Sequence, residues 1–313
     1  LTVKWEEADE KIEDLLEELN RTGYNFNRDF ILKTCLTLLD KGAAYNVNKF
    51  RDKNTREKII NEWEAISKSI KFVKDFLWEN TYIRSSKALP SYLTLIPLIY
   101  FRYHYKKKWD EAINLDDYIL RTLISGAFSG TPDNLIDKCT KNINSNEDFI
   151  VKDIYGVIRA DGRNLEVSKE TILKQSYTSK NIHLYFNLWY KDFDYRPSAK
   201  DNSPQIDHIF PQVALKSVKV PNPETGRMNL LKYKAYDRNQ IANCMLLKQS
   251  ENGSGGKADQ LPEEWFEEKP DAYLKKHLIP TNKELWKLEN FEEFIEERKK
   301  LIEEKFSYLI LKE

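Results

Sequence analysis

The chain has 313 residues, no formal net charge, 41% hydrophobic and 32% charged residues, a composition that predicts a folded globular protein with room for two modest domains. Aromatic residues make up 12% of the sequence, which argues against long disordered stretches. The longest apolar run is short and contains a proline, and the N-terminus is acidic, so the sequence predicts neither a membrane span nor a signal peptide and favours a cytoplasmic protein.

Helical spacing of apolar residues dominates the first two-thirds of the chain. Ile12, Leu15, Leu16 and Leu19 follow the i, i+3, i+4, i+7 pattern, and Gly23 is placed to end that helix. A second helix is predicted from about residue 28 to residue 41. A third helix is predicted more clearly within the segment TREKIINEWEAISKSIKFVKDFLWEN, which carries one apolar stripe.

Two further helix starts are predicted from proline positions. The segment 93–105 is apolar on nearly all faces and predicts a buried helix that is kinked or begins near Pro97. Thr131 followed by Pro132 is typical of an N-cap residue followed by the first helical position.

The pattern changes near residue 195. The segment RPSAKDNSPQIDHIFPQ has three prolines and predicts a linker that leads into a short strand, and IANCMLL predicts a second strand. We expect 206–209 and 244–247 to pair as a short antiparallel hairpin, with a helix near Asn252. A long amphipathic run near the C-terminus predicts a helix that packs back on the helical body. The predicted fold is therefore mainly α, with three parts: a helical domain (1–195), a ββα-like unit (196–265) and a C-terminal helical segment (266–313).

One cluster of residues could hydrolyse a phosphodiester bond. His208 follows Asp207 directly, and Asn243 and Asn252 come later in the same predicted unit. A histidine with a pKa near neutrality suits the base that deprotonates water. The oxygens of Asp207 and Asn252 suit Mg²⁺ or Mn²⁺, which would offset charge on the phosphate. Asn243 could fix the loop or the imidazole, although an asparagine at a strand start is commonly a turn residue. For Asn252 the alternative to the ligand role is a helix cap or a left-handed turn.

The adjacency of Asp207 and His208 poses a geometric problem. Neighbouring residues in a regular strand point to opposite faces. For both to serve one site, the strand has to end or bulge at this point, and Pro211 makes an ending plausible.

The motif DHIFPQ, followed by Asn243, Asn252 and Lys257, resembles the HNH branch of the His-Me finger nucleases. The segment NCMLLKQSENGSGGKADQLPEE is similar to the HNH domain of RNA-guided CRISPR nucleases. Over most of residues 28–310 the chain resembles the C-terminal region of GmrSD-type, modification-dependent restriction endonucleases and related phage-defence proteins. The segments LPSYLTLIPLIYF and LISGAFSGTPDNLID carry this resemblance in the helical part.

The resemblance implies the same roles that the chemistry suggests: Asp207 and Asn252 as metal ligands, His208 as general base and Asn243 as the orienting asparagine. Asn252 stands where some HNH members have a second histidine, and Asp207 stands where close relatives often have glutamate. Both departures keep a ligand atom. Lys257 and Arg238 could bind substrate phosphate, although isolated basic residues are more often solvated surface charges.

The implied function is a metal-dependent HNH endonuclease that cuts DNA and restricts foreign or modified DNA. Relatives carry an N-terminal nucleotide-binding and DNA-sensing domain with a DGQQR-like motif, which has no match here, so we expect a sensor domain or subunit to be missing from this chain. A single HNH unit cuts one strand, so a double-strand break would need either a homo-oligomer or two separate visits to the DNA. The alternative is a helical DNA- or protein-binding module whose nuclease unit is degenerate.

Overall fold

The computed structural model describes residues 7–81, 83–190, 205–252 and 256–309. It divides into two compact units, Leu1–Glu166 and Val167–Glu313. The predicted linker at residues 196–204 lies outside the described residues, and the predicted boundaries at 195 and 265 stay predictions. Both units are rich in helix and contain few strand residues, which confirms a mainly α protein.

The first unit is built from helices joined by turns and short 3₁₀ segments. Its helices are α1 (Ala8–Asn20), α2 (Arg28–Leu38), α3 (Val47–Arg51), α4 (Lys53–Asn80), α5 (Ile96–His104), α6 (Leu115–Ser125), α7 (Asp133–Asn146) and α8 (Val151–Ala160).

Helix α5 forms the centre of the first unit. Every residue from Ile96 to Phe101 is buried, and the helix packs against α2, α4 and α7. Pro97 lies in its first turn, where the missing backbone N–H has no intrahelical partner to lose. The prediction of a buried helix that begins near Pro97 is confirmed.

Two helix ends differ from the sequence prediction. Helix α2 ends at Leu38 and not at residue 41, because Asp40 adopts a positive φ of 55° and Lys41 N–H donates to Leu36 O, which stops the helix early. The N-cap position of α7 is Pro132, with no side-chain hydrogen bond, so the predicted Thr131 cap is wrong.

The second unit combines short helices with two pairs of strands. Its elements are α9 (Lys169–Leu173), α10 (Ile182–Trp189), β1 (Gln205–His208), α11 (Gln212–Ser217), β2 (Lys219–Pro221), β3 (Met228–Leu231), α12 (Ala235–Asn239), β4 (Cys244–Leu247), α13 (Gln249–Asn252), α14 (Pro262–Trp265), α15 (Asp271–Lys276) and α16 (Phe291–Phe306).

The strands β1 and β4 pair antiparallel, with Asp207 opposite Met245 and His208 opposite Cys244. The predicted pairing is therefore confirmed. The strands are not joined by a direct hairpin turn, since α11, the antiparallel pair β2–β3 and α12 lie between them along the chain. Helix α13 follows β4 and ends at Asn252. The assignment of this segment as an HNH unit stays a prediction.

Helix α16 packs against the segments Ile241–Asn243 and Lys283–Trp286 of the second unit. Its Arg298 is fully buried and donates to backbone carbonyls on either side of Asn243, those of Ala242 at 2.8 Å and Cys244 at 2.9 Å. The C-terminal helix therefore packs, within its own unit, against the segment that leads into β4, the strand paired with β1. No helix in the described ranges offers an apolar stretch long enough to cross a bilayer.

Candidate active site

The predicted site lies at the end of strand β1, whose last residue is His208. Asp207 and His208 both line one cleft of about 540 Å³, together with Tyr177, Gln212, Lys216 and Asp259 among others. The chain turns away at once, with Pro211 at the N-cap of α11. The expected ending of the strand near Pro211 is observed.

Asn243 holds this turn. Its side-chain Oδ1 accepts from Phe210 N–H at 2.9 Å, and its Nδ2 donates to Phe210 O at 3.2 Å and Arg238 O at 2.8 Å. The residue is fully buried. These hydrogen bonds therefore satisfy polar atoms that have no access to water. Of the two actions considered for Asn243, fixing the loop is the one that its contacts support.

The imidazole of His208 is oriented by other residues. Its Nε2 lies 3.0 Å from Asn239 Oδ1, and Gln212 Nε2 donates to the same oxygen at 3.1 Å. The ring of Tyr177 stacks on the imidazole with centroids 4.6 Å apart. Two polar neighbours and one aromatic face therefore restrict how the imidazole can turn.

The contacts also favour one tautomer. The carbonyl oxygen of Asn239 can only accept, so the 3.0 Å contact requires a proton on His208 Nε2. Gln212 Nε2 also lies 3.3 Å from His208 Nε2, but an amide N–H cannot donate to a protonated nitrogen, and the shorter contact to oxygen decides the assignment. The lone pair is then on Nδ1, which is the atom available to accept a proton.

Burial lowers the pKa of His208 below its ordinary value, because desolvation disfavours the imidazolium. The hydrogen bond to Asn239 and the charge of Asp207 act in the opposite direction, while Lys257 and Arg238 lower the pKa further. The imidazole is therefore neutral at pH 7, the state that a general base requires.

Asp207 is paired with Lys257 across the loop that follows α13. Lys257 Nζ lies 2.9 Å from Asp207 Oδ2 and donates to His208 O at 2.7 Å. The contact with Asp207 is a buried ion pair, and Oδ2 has no other charged partner among the ion pairs of the described residues. Burial lowers the pKa of Lys257, and the neighbouring Asp207 raises it.

Asn252 lies beside the same strand. Its Nδ2 donates to Gln205 Oε1 at 2.9 Å, and Gln205 shares a strand face with Asp207 because side chains two residues apart point the same way. This orientation of the amide leaves the Asn252 carbonyl oxygen as an acceptor. The structure therefore brings Asn252 to the strand that carries Asp207 and His208.

The two predicted phosphate ligands are both buried. Lys257 is fully buried, and Arg238 is 7% exposed, with its Nη1 donating to Tyr233 O at 2.7 Å. Their ammonium and guanidinium groups contact protein atoms, and their predicted contact with substrate phosphate stays a prediction. Lys216, by contrast, is an exposed lysine in the wall of the cleft.

Sequence reasoning missed Asn239, Gln212 and Tyr177. Gln212 belongs to the DHIFPQ motif but received no role, and Asn239 lies only four residues before Asn243. No sequence motif marks Tyr177, which lies in a loop about thirty residues before β1. Its backbone N–H donates to Asn239 O, and this bond holds it at the cleft.

The donor set is compatible with a divalent cation bound by oxygen atoms. The buried Asp207 Oδ2 has Lys257 Nζ as its charged neighbour at 2.9 Å, and a carboxylate together with an amide oxygen and water is the kind of ligand set that Mg²⁺ accepts. Within the described ranges, no three His, Cys, Asp or Glu side chains are grouped to hold a metal. A cation at Asp207 would therefore depend on amide and water ligands.

Comparison with known proteins agrees with the resemblance in the motif. Residues 161–305 match the family model described as GmrSD restriction endonucleases, C-terminal domain. A search of curated proteins gave no match. The matched range contains every residue that lines the cleft, from Tyr177 to Asp259. Residues 161–305, a little under half of the chain, therefore match the C-terminal domain of the GmrSD restriction endonucleases.

Proposed function

We propose that the second unit is a metal-dependent endonuclease of the HNH type that hydrolyses phosphodiester bonds of DNA and acts in the restriction of foreign or modified DNA. The family is one of restriction endonucleases, which supports nuclease activity on DNA. The observation that carries the more specific proposal is the shared cleft of Asp207 and His208 at the end of β1.

His208 is the general base in this proposal. Its Nδ1 accepts a proton from a water molecule, while Asn239 holds the proton on Nε2 and Tyr177 holds the plane of the ring. The water oxygen forms the new bond to phosphorus as the bond from phosphorus to the leaving oxygen breaks. A neutral, oriented imidazole needs no further proton transfer before the reaction begins.

Asp207 and Asn252 would hold a Mg²⁺ or Mn²⁺ ion, which when bound would offset the negative charge that builds up on the phosphate and the leaving oxygen. Asn243 keeps Phe210 and the end of β1 in place. Lys216 offers a positive charge at the cleft wall, where a phosphate of the DNA backbone could contact it.

The direct test is cleavage of supercoiled plasmid by the purified chain in the presence of Mg²⁺, with EDTA as one control and His208→Ala as the other. We expect nicked plasmid with the metal and none with the chelator or the variant. Equal cleavage by wild type and His208→Ala, after removal of contaminating nuclease, would overturn the assignment. Absence of cleavage by the wild-type chain would leave a helical binding module as the better description.

A further inference from the structure

Lys257 is a lysine whose side chain is completely buried, with a relative exposure of 0%. Its ammonium lies between two neighbouring residues of the proposed active site, 2.9 Å from Asp207 Oδ2 and 2.7 Å from His208 O. Burying an ammonium group costs free energy unless its partners are well placed. The burial of this ammonium therefore indicates that its contacts with Asp207 and His208 matter to the folded protein.

The loop around Lys257 has the conformation needed to insert it. Lys257 N–H donates to Glu251 O at 2.7 Å, and at Gly256 any Cβ atom would overlap the same Glu251 carbonyl. Ala258 adopts a positive φ of 45°, which is unfavourable for a residue with a side chain. Both neighbours of Lys257 therefore accept backbone constraints that bring its side chain inward.

We propose that Lys257 is a positioning residue, which fixes the Asp207 carboxylate and the backbone of His208 at the end of β1, and that it does not bind substrate. The inference rests on the proposed function, since it assigns a role within the same site. The exposed Lys216 in the cleft wall is the lysine placed to meet a phosphate.

One positive charge serves both neighbours in different ways. The ion pair balances the charge of Asp207, which otherwise has no hydrogen-bond donor on Oδ2 among the described residues. The hydrogen bond to His208 O sets where the main chain leaves the strand, and so where the imidazole is attached. Removing the ammonium should therefore displace the imidazole of His208. It should also remove the positive charge that opposes binding of a cation at Asp207.

A stability experiment tests the pair without any substrate. The variants are Lys257→Met, Asp207→Asn and the double variant, with Lys299→Met as the matched control because Lys299 forms an exposed ion pair of 2.7 Å with Glu296. We expect Lys257→Met to lower the Tm by about 5 to 10 °C and the double variant to lose less than the sum of the single losses. Additive losses would overturn the proposed pairing.

A second experiment separates positioning from substrate binding and from mere loss of structure. Mn²⁺ binding to the free protein is measured by calorimetry, and plasmid cleavage is measured for kcat and KM. For Lys257→Met we expect Mn²⁺ affinity that is unchanged or up to about tenfold higher, kcat about 10- to 100-fold lower and KM within about twofold of wild type. Lys257→Arg, which keeps the charge, should recover part of the lost rate.

The other outcomes each reject the inference. A raised KM, together with a KM whose dependence on salt concentration falls by the amount expected for about one phosphate contact, would show that Lys257 binds substrate. Loss of Mn²⁺ binding and of kcat that Lys257→Arg restores in no part would make Lys257 a structural residue only. If wild-type protein cleaves no DNA, the proposed function fails, and the stability cycle still decides whether Lys257 holds Asp207.

Discussion

The Nε2 atom of His208 lies 3.0 Å from the side-chain oxygen of Asn239, so a residue at the end of a short helix determines which imidazole nitrogen carries the proton. Asn239 also accepts from Tyr177 N–H through its main-chain oxygen, at 2.7 Å. The same residue therefore places both the imidazole and the aromatic ring that stacks on it.

Removal of the Asn239 amide should impair catalysis and leave folding intact. We expect Asn239→Ala to lower kcat by about 10- to 100-fold with little change in KM, because the imidazole would lose its orienting acceptor. The Tyr177 contact uses the main chain and survives the substitution. Steady-state kinetics on plasmid check this, with Asn229→Ala, an exposed asparagine on β3, as the matched control. A rate within twofold of wild type would contradict the role.

Substitution of His208 and of Asp207 should have different consequences. His208→Ala should reduce the cleavage rate by about 10² to 10⁴-fold at every metal concentration, since a general base contributes about that much. Asp207→Ala should be partly restored by a higher Mg²⁺ concentration, because weaker ion binding comes before any effect on proton transfer. Titration of both variants with Mg²⁺ separates them, and identical metal profiles would contradict the separate roles.

Arg298 should be essential for the stability of the second unit. Its guanidinium is buried with backbone carbonyls as its hydrogen-bond partners, including those of Ala242, Cys244 and His277. Arg298→Met would leave several of these carbonyls without donors and should cost about 3 to 5 kcal/mol of unfolding free energy. Urea denaturation measures the loss. Lys299→Met, which removes a surface ion pair with Glu296 on the same helix, should change the stability by less than about 0.5 kcal/mol.

Acid should destabilise the protein through His277. Burial, with the nearby charges of Lys276 and Arg298, holds the pKa of His277 well below its ordinary value, so the folded chain keeps it neutral while the unfolded chain binds a proton below about pH 6.5. Stability should therefore be full above that pH and fall below it by up to about 1.4 kcal/mol per pH unit.

His277→Gln should reduce that slope between pH 6.5 and pH 5.5, because the amide does not titrate in this range. Urea denaturation at the two pH values measures the change, and the variant's stability at pH 7.5 serves as its reference. Burial lowers the pKa of His208 as well, and its contribution remains in both proteins. The difference in slope therefore reports His277, and equal slopes would contradict the assignment.

The sequence was sufficient for the helices with a strong apolar period. Ile12, Leu15, Leu16 and Leu19 of α1 are all buried, and so is one apolar stripe of α4, formed by Ile59, Ile66, Ile70, Val73 and Leu77. Helix ends were less predictable, because the early stop of α2 depends on the positive φ of Asp40, which no periodicity reveals. The resemblance of DHIFPQ to known nucleases, together with the chemistry of adjacent Asp207 and His208, was enough to single out two residues that line the cleft.

Lys257 shows why the rest of the site could not be predicted. It lies in a glycine- and serine-rich segment, a context that is typical of an exposed loop and favours a lysine that binds phosphate. Its burial depends on the carbonyl of His208 and the carboxylate of Asp207, which come from a strand some fifty residues earlier. Contacts between distant segments of this kind leave no mark in local composition.

The hydrogen bonds of Arg298 to the carbonyls on both sides of Asn243 determine which residues have to stay together when this unit is transferred to another protein. Transplanting residues 205–260 alone into another protein would carry the motif but leave behind the helix that braces strand β4. The smallest transferable piece has to run on through α16, and the family match, which begins at residue 161, ends at residue 305 within that helix. Recombination between homologues should accordingly keep the motif and the distant arginine on one inherited fragment.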